Sequence, residues 1–536
     1  MRLHPKFTAG LYLFMLTVGG LKALPISLVD TKDTLWWSDT VIISTDISIP
    51  AGTTLIIQPS ARITFTGMYY LLVHGQIIAS ATPGEPITFI GDSVGGIGAG
   101  GGIRLEPSAS LDTSVFEHCH FIHCGSGPDC RNDGMGALST SGRWHTMISE
   151  CIFLDNLAQS GGGAVHADSA GITIRLTHFE GNRSGMYGGA VEITGGPGGR
   201  IQDCTFLGNM AELSGGGISA RNEPAWIEGN VFLNNFATDT VGPGITQGNG
   251  GGIHLSFPSG GMTVFRNVLE NNRSNSGLYE STLASMVANN LIVSNAGAGI
   301  INGHNFSESI YLNNTIAFNE NAGIAVNSPL LTIANNIIWH NGTMLPENQL
   351  FVVVDTPLVM HCCISGGYYP AYGNNVIQAD PMFVLPAMTP GTYGFNLAYD
   401  YRLQGASSCI DAGTALPPGI SVPATDLTGA PRVAGTQVDI GAYESSGTSL
   451  AYAQETATGL RVLPNPTRDE FRILSEERII RGRCQLSDLT GKLIMEREFT
   501  VGERISTEGL PAGIYICTIK SAPGNCASIK LIKIQH

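Results

Sequence analysis

The stretch FEGNRSGMYGGAVEI, Phe179 to Ile193, holds an apolar residue, an Asn three places later, a run of small residues with paired glycines, and a short alternating segment. The same order recurs along the chain. FLDN (Phe153, Asn156), FEGN (Phe179, Asn182), FLGN (Phe206, Asn209) and FLNN (Phe232, Asn235) are followed by LENN (Leu269, Asn272), IVSN (Ile292, Asn295), IAFN (Ile316, Asn319) and IWHN (Ile338, Asn341). Successive asparagines lie 26, 27, 26, 37, 23, 24 and 22 residues apart, and the one long interval marks an insertion around Thr238–Gly250. A steady period in this range is the signature of stacked repeats.

Each unit offers two or three short alternating runs separated by Gly, Asn and Ser, and none is long enough for a helix. A coil of that length with three short strands is one rung of a right-handed parallel β-helix, the pectate-lyase-like solenoid class, in which alternate side chains point inward and stacking builds one continuous core. Gly and Asn suit corners that demand positive φ. A second column stands two residues before each anchor: Cys119, Cys151, Thr177, Cys204, Asn230, Asn267, Asn290, Asn314, Asn336 and Cys362. Stacked amides can hydrogen-bond along the axis, so both columns are expected to form ladders.

The chain has 536 residues, 69 glycines, a hydrophobic fraction of 43% and a charged fraction of only 13%, which excludes a disordered polymer. Residues 1–23 read as a secretory signal, with Arg2 and Lys6 before an apolar run and Ala23 at the cleavage position; the alternative is an N-terminal membrane anchor, but the run is short for a span. No second stretch reaches spanning length. The expected organisation is a cap and first rungs at 24–110, β-helix repeats at 111–375, a closing segment at 376–445, a linker at 446–459 and a last domain at 460–536. Residues 24–459 carry 13 Lys+Arg against 34 Asp+Glu, a net of −21, whereas 460–536 carry 12 against 9, a net of +3. The acidic solenoid argues against nucleic acid as a partner.

Several resemblances attach to these motifs. The pairing of GGAV or GGGI with F-x-x-N, over Phe153 to Ile253, resembles the repeats of polymorphic outer-membrane proteins, whose β-helix passengers are surface adhesins, although no outer-membrane barrel pattern follows here. Ile49 to Gly91 resembles the first rungs of many secreted β-helix proteins. DLTGAPR and DIGAYE, within Asp426 to Glu444, resemble the closing segment of bacterial surface β-helix proteins with interchangeable C-terminal anchors. LPNPTRDEFRI, DLTGKLIMERE and LPAGIYICTI resemble the C-terminal sorting domain of the type IX secretion system, a small β-sandwich. That resemblance implies type IX machinery as a partner, an outer-surface or secreted location in a Gram-negative bacterium, and attachment to surface lipopolysaccharide or release.

Candidate chemistry is sparse. All seven lysines lie outside residues 33–491, so the solenoid has no Lys base; an Arg base at Arg143, Arg175, Arg183, Arg200 or Arg221 is weighed against plain surface arginines. If Leu138, Val165, Val191, Ile218 and Ile253 point inward, then Ser139, His166, Glu192, Ser219 and His254 stack outward, and His166 beside Glu192 can shuttle protons or simply line a solvated stripe. EHCHFIHCGSGPDC (Glu117 to Cys130) offers His118, His120 and His123 as metal ligands, a Cys124–Cys130 disulfide, or unpaired side chains. Cys119 and Cys151 fall close enough in their column to bond. No cofactor is expected, and calcium on surface carboxylates has no identifiable ligand set. Two functions follow: a non-catalytic surface protein whose flat faces bind polysaccharide or another surface protein, and a polysaccharide lyase or glycoside hydrolase on the same scaffold.

Overall fold

A computed structural model describes residues 34–91, 100–107, 112–126, 136–142, 145–222, 224–239, 246–257, 261–342, 348–353, 355–366, 375–387, 399–414, 423–445, 460–463, 470–475, 481–487, 493–500, 502–510, 513–521 and 525–533. The expected signal segment, Arg143, Cys130 and the linker lie outside them.

Short strands stack rung upon rung into three parallel sheets. The first sheet runs from Thr34–Trp37 to Leu358–Met360, the second from Thr40–Ile43 to Cys363–Ile364 and the third from Ile47–Ile49 to Leu350–Val352, with 13, 13 and 12 described strands. Thirteen rungs span about 58 Å at the usual strand spacing. Register is strict: Phe121 pairs with Phe153, Phe153 with Phe179, Phe179 with Phe206 and Phe206 with Phe232. Those rings are fully buried and stack 4.5–5.1 Å apart. The segment expected as an N-terminal cap is already a rung, because Thr34–Trp37, Thr40–Ile43 and Ile47–Ile49 pair with the strands of the next turn. The insertion folds as an antiparallel pair, Phe236–Asp239 with Thr246–Gln247.

Both asparagine columns point inward at corners and are fully buried. In one, Asn182 Nδ2 donates to Asn209 Oδ1 at 2.9 Å and Asn209 Nδ2 to Asn235 Oδ1 at 3.0 Å, and the ladder runs from Asn156 through Asn272, Asn295 and Asn319 to Asn341. The other runs through Asn230, Asn267, Asn290, Asn314 and Asn336. The left-handed residue at each corner is the one before the column residue, whether that is Asn, Cys or Thr. Glu150, Leu176, Asp203, Arg266, Asn289, Asn313 and Asn335 occupy it at one corner, and Asp155, Asn234, Asn271, Ser294, Phe318 and His340 at the other.

One carboxylate breaks the apolar interior. Glu280 occupies an inward position of the third sheet and is fully buried. It accepts from Tyr311 Oη at 2.8 Å, Asn302 Nδ2 at 2.9 Å, Ser309 Oγ at 3.0 Å, the Thr282 amide at 3.1 Å and the Thr282 hydroxyl. Burial, with the neighbouring carboxylate, pushes the Tyr311 phenol well above its ordinary range.

The closing segment starts at the far end as expected, where Ile377 pairs with Cys363 of the last second-sheet strand, and from Phe383 on lies along the outer face of the second sheet. The reason is chemical: strands Leu291–Val293, Thr315–Ala317 and Ile337–Trp339 are buried on both faces, and Phe383, Tyr401, Cys409 and Ile440 cover them. The corner asparagines dock it, with Asn289 Nδ2 donating to Thr425 O and Asn313 Nδ2 to Asp439 O at 3.0 Å. Within it, the buried Arg432 donates to the carbonyls of Asp439 and Gly441 at 2.6 and 2.7 Å, while Asp426 and Glu444 accept backbone amides. The last domain forms a three-stranded and a four-stranded antiparallel sheet around Phe471, Ile473, Cys484, Leu486, Phe499 and Ile519.

Candidate functional site

The outward row of the third sheet runs Arg104, Ser139, His166, Glu192, Ser219, His254 and Tyr279 in register. It is not a solvated stripe: Ser139, His166, Glu192, Ser219 and His254 are all buried. Backbone bridges from Gly161 to Tyr187, Ser214 and Asn249 lay a strip of chain beside the row. A Cβ at Gly161 would stand 1.5 Å from Glu192 Oε2, so a side chain there would push the carboxylate aside.

Glu192 is spoken for at both oxygens. Arg221 Nη2 pairs with Oε1, and His166 Nε2 lies 3.4 Å from Oε2. Burial, against the opposing pull of Glu192, lowers the His166 pKa, which favours a neutral ring. Burial, aided by the Arg221 charge, takes His254 down to about 3. Its Nδ1 sits 3.1 Å from Ser219 Oγ, and its ring stacks between Tyr187 and Tyr279 at centroid distances of 6.2 and 5.5 Å. The Arg221 guanidinium lies 3.8 Å over Tyr187. Four of the sequence candidates, His166, Glu192, Arg221 and His254, therefore meet along one face, but in a largely buried, charge-paired and stacked arrangement. General acid–base catalysis needs a group that can reach the reacting atom and change protonation near working pH; here Arg221 is the charged member with appreciable exposure, at 29% of its side chain.

The outer face of the first sheet differs. Arg200 pairs with Trp226, and Arg175 with Gln202 and then Glu228, in adjacent outward rows. Trp226 is 41% exposed, its Nε1 donates to Glu228 Oε2 at 2.8 Å, and the Arg200 guanidinium lies 5.2 Å from the ring centroid. Gln202 Nε2 and Arg266 Nη2 also donate to Glu228, at 2.9 and 2.8 Å. Burial pushes the Glu228 carboxyl up, but the donors from Arg266, Trp226 and Gln202 outweigh it and hold it below the usual range. Arg175 is exposed with no side-chain ion pair among the described residues. The sequence had offered Arg175 and Arg200 either as an arginine base or as plain surface residues and gave Trp226 no role; an outward Trp in an alternating AWIE strand was the available signal.

The His-rich segment spreads over two corners. His118 and His123 are left-handed corner residues, and His120 sits outward on the strand between them. His118 Nε2 lies 3.5 Å from Glu150 Oε2. Burial, with the nearby His118 charge, takes His120 down to about 4. Cys119 and Cys151 are stacked but unbonded: the Cys119 amide reaches Cys151 Sγ at 3.4 Å, and each thiol donates to backbone carbonyls of its surroundings. Cys124 is a buried free thiol whose pKa burial raises to about 12.

Comparison with known proteins agrees with this architecture. Residues 84–282 match the family described as right handed beta helix region, and residues 461–534 match the secretion system C-terminal sorting domain. Among solved structures the chain is similar to the pectate lyase Pel9A, at 11% identity and a TM-score of 0.31 over 78% of this chain and 97% of that one. It is also similar to the periplasmic alginate epimerase AlgG, at 12% identity and 0.27 over 64% and 77%. No curated protein matches. The chain thus carries a right-handed β-helix and a secretion-system sorting domain.

Proposed function

We propose that this exported β-helix is a non-catalytic glycan-binding protein of the cell surface or its surroundings, and that the outer face of the first sheet is its binding surface. The observation that carries the reading is Trp226: a large aromatic ring left open on a flat sheet, hydrogen-bonded through its indole N–H and flanked by Arg175, Arg200 and Gln202. Such a face supplies an apolar platform for the C–H side of a sugar ring and donors for its hydroxyls. The competing enzymatic reading would centre on Glu192. It is less favoured because both of that carboxylate's oxygens are engaged and the group is buried.

The test is affinity electrophoresis of the purified chain through gels containing acidic or neutral polysaccharides. Retention without cleavage is expected, and Trp226→Ala should weaken it by about tenfold, roughly the 1.5 kcal/mol of one aromatic face. Release of unsaturated or reducing-end products, abolished by Glu192→Gln, would replace the binding reading with the enzymatic one.

A further inference from the structure

We infer that Glu117, His118 and Glu150 form a binding site for a first-row transition cation of the zinc type, bridging two consecutive rungs. One ligand atom from each residue lies within 4.8 Å of the others. Their placement is dictated by the coil. Glu117 ends the first-sheet strand Ser114–Glu117, opposite Ser149, and His118 and Glu150 are the left-handed corner residues that follow in successive turns. The rung spacing brings the imidazole and the Glu150 carboxylate together, Nε2 to Oε2 at 3.5 Å.

The charges at this corner call for a cation. Neither carboxylate is paired with a Lys or Arg among the described residues, whereas Glu192, Glu228 and Glu444 each meet an arginine. Glu117 is oriented from behind by Ser80, whose Oγ donates to Oε2 at 2.6 Å and leaves Oε1 free; a hydrogen bond of that kind fixes a ligating carboxylate and tunes its affinity. His118 and Glu117 are only partly exposed and Glu150 is exposed, so the site is open to an ion from solvent. The donor set selects the metal. One imidazole nitrogen with two carboxylates suits zinc and its neighbours, with water completing the shell. Calcium takes six to eight oxygens and magnesium keeps its waters, so neither gains from the imidazole.

The site differs from the one suggested by the His-rich segment alone, because His123 belongs to the other corner and the missing ligand, Glu150, comes from the next turn. A protonated His118 between two acids is the alternative cation, and the experiment separates the two. Purified chain, stripped with a chelator, is titrated with zinc against a chromophoric indicator, and with cobalt for its visible absorption bands. The expected result is one zinc per chain, which displaces bound cobalt with loss of its visible bands and is not itself displaced by calcium. His118→Asn, which keeps the left-handed corner, and the exposed Glu150→Gln should each weaken binding by about tenfold or more, Ser80→Ala should weaken it less, and His123→Asn should leave it unchanged. Far-ultraviolet circular dichroism checks that each variant remains folded. Absence of stoichiometric zinc in the wild-type chain, or equal binding by folded His118→Asn and Glu150→Gln, overturns the site.

Discussion

A left-handed backbone at a leucine or a phenylalanine is costly, by roughly 1–2 kcal/mol. Leu176 and Phe318 adopt it at φ +50° and +56° because each precedes a residue whose side chain belongs to a corner ladder or, at Thr177, continues its column. Each interior ladder amide accepts two bonds from the rung before it and donates to a carbonyl and to the rung after it, so its removal strands several buried partners at once. Asn235→Ala takes away acceptance from the Asn209 amide and Nδ2 and donation to Phe206 O and Asn272 Oδ1. A loss of about 3 kcal/mol or more is expected in chemical denaturation. A pH effect belongs at this scale too. His254 falls from an ordinary value of 6.5 to about 3 in the fold. Between those values the unfolded chain binds a proton that the native ring refuses. Stability is therefore full above pH about 6.5 and declines as pH drops through that interval, by up to about 1.4 kcal/mol per unit. His254→Phe should flatten the slope measured by thermal melts between pH 4 and 6.5; an unchanged slope would assign it to other groups.

At the scale of strands and rungs, both ladders, the phenylalanine column and the outward row from Ser139 to His254 could be laid out from the sequence, because a parallel coil repeats its register at every turn. Burial of that outward row could not, since the strip containing Tyr187 and Ser214 that lies beside it looks like any other glycine-rich loop. Glu280 was equally invisible: in SGLYEST it stands two residues after inward Leu278, yet a charge at an inward position reads as a break in the pattern rather than as the centre of a cluster. Its partners come from three different turns. Removing one donor by Tyr311→Phe should cost about 1–2 kcal/mol, whereas Glu280→Gln, which replaces an accepting oxygen with an NH2 donor facing other donors, should cost more. Parallel denaturation curves for the two variants check the order.

For the whole molecule, the sequence marked the order of parts but not their placement. DLTGAPR and DIGAYE stood out as a pair, and the structure explains the pairing: Asp426 caps its own turn and accepts from the Glu444 amide, while Arg432 grips the carbonyls on either side of Ile440. Nothing in those motifs says that they lie along a flank, because the deciding signal is the doubly apolar strands LIV, TIA and IIW far upstream. The match over residues 461–534 carries its own prediction. Deleting them should leave the β-helix soluble but retained inside the cell envelope, as read by fractionation and immunoblotting; surface display of the shortened chain would count against a sorting role.

The ladders also have a direction. Along each column the backbone amide and one side-chain amide hydrogen of an interior asparagine go to the Oδ1 of the next rung, and its own Oδ1 accepts from the rung before, so the column is vectorial and its two faces are complementary, as in a head-to-tail polymer. What halts it is chemistry at the downstream end. Gln349 accepts from Asn341 and turns its own Nε2 back to Asn341 O at 3.0 Å, and the companion column finishes on the weakly accepting sulfur of Cys362 at 3.4 Å. Among the described residues neither column therefore passes a ladder amide onward beyond its last member, and the protein has the interior of a filament with a built-in stop.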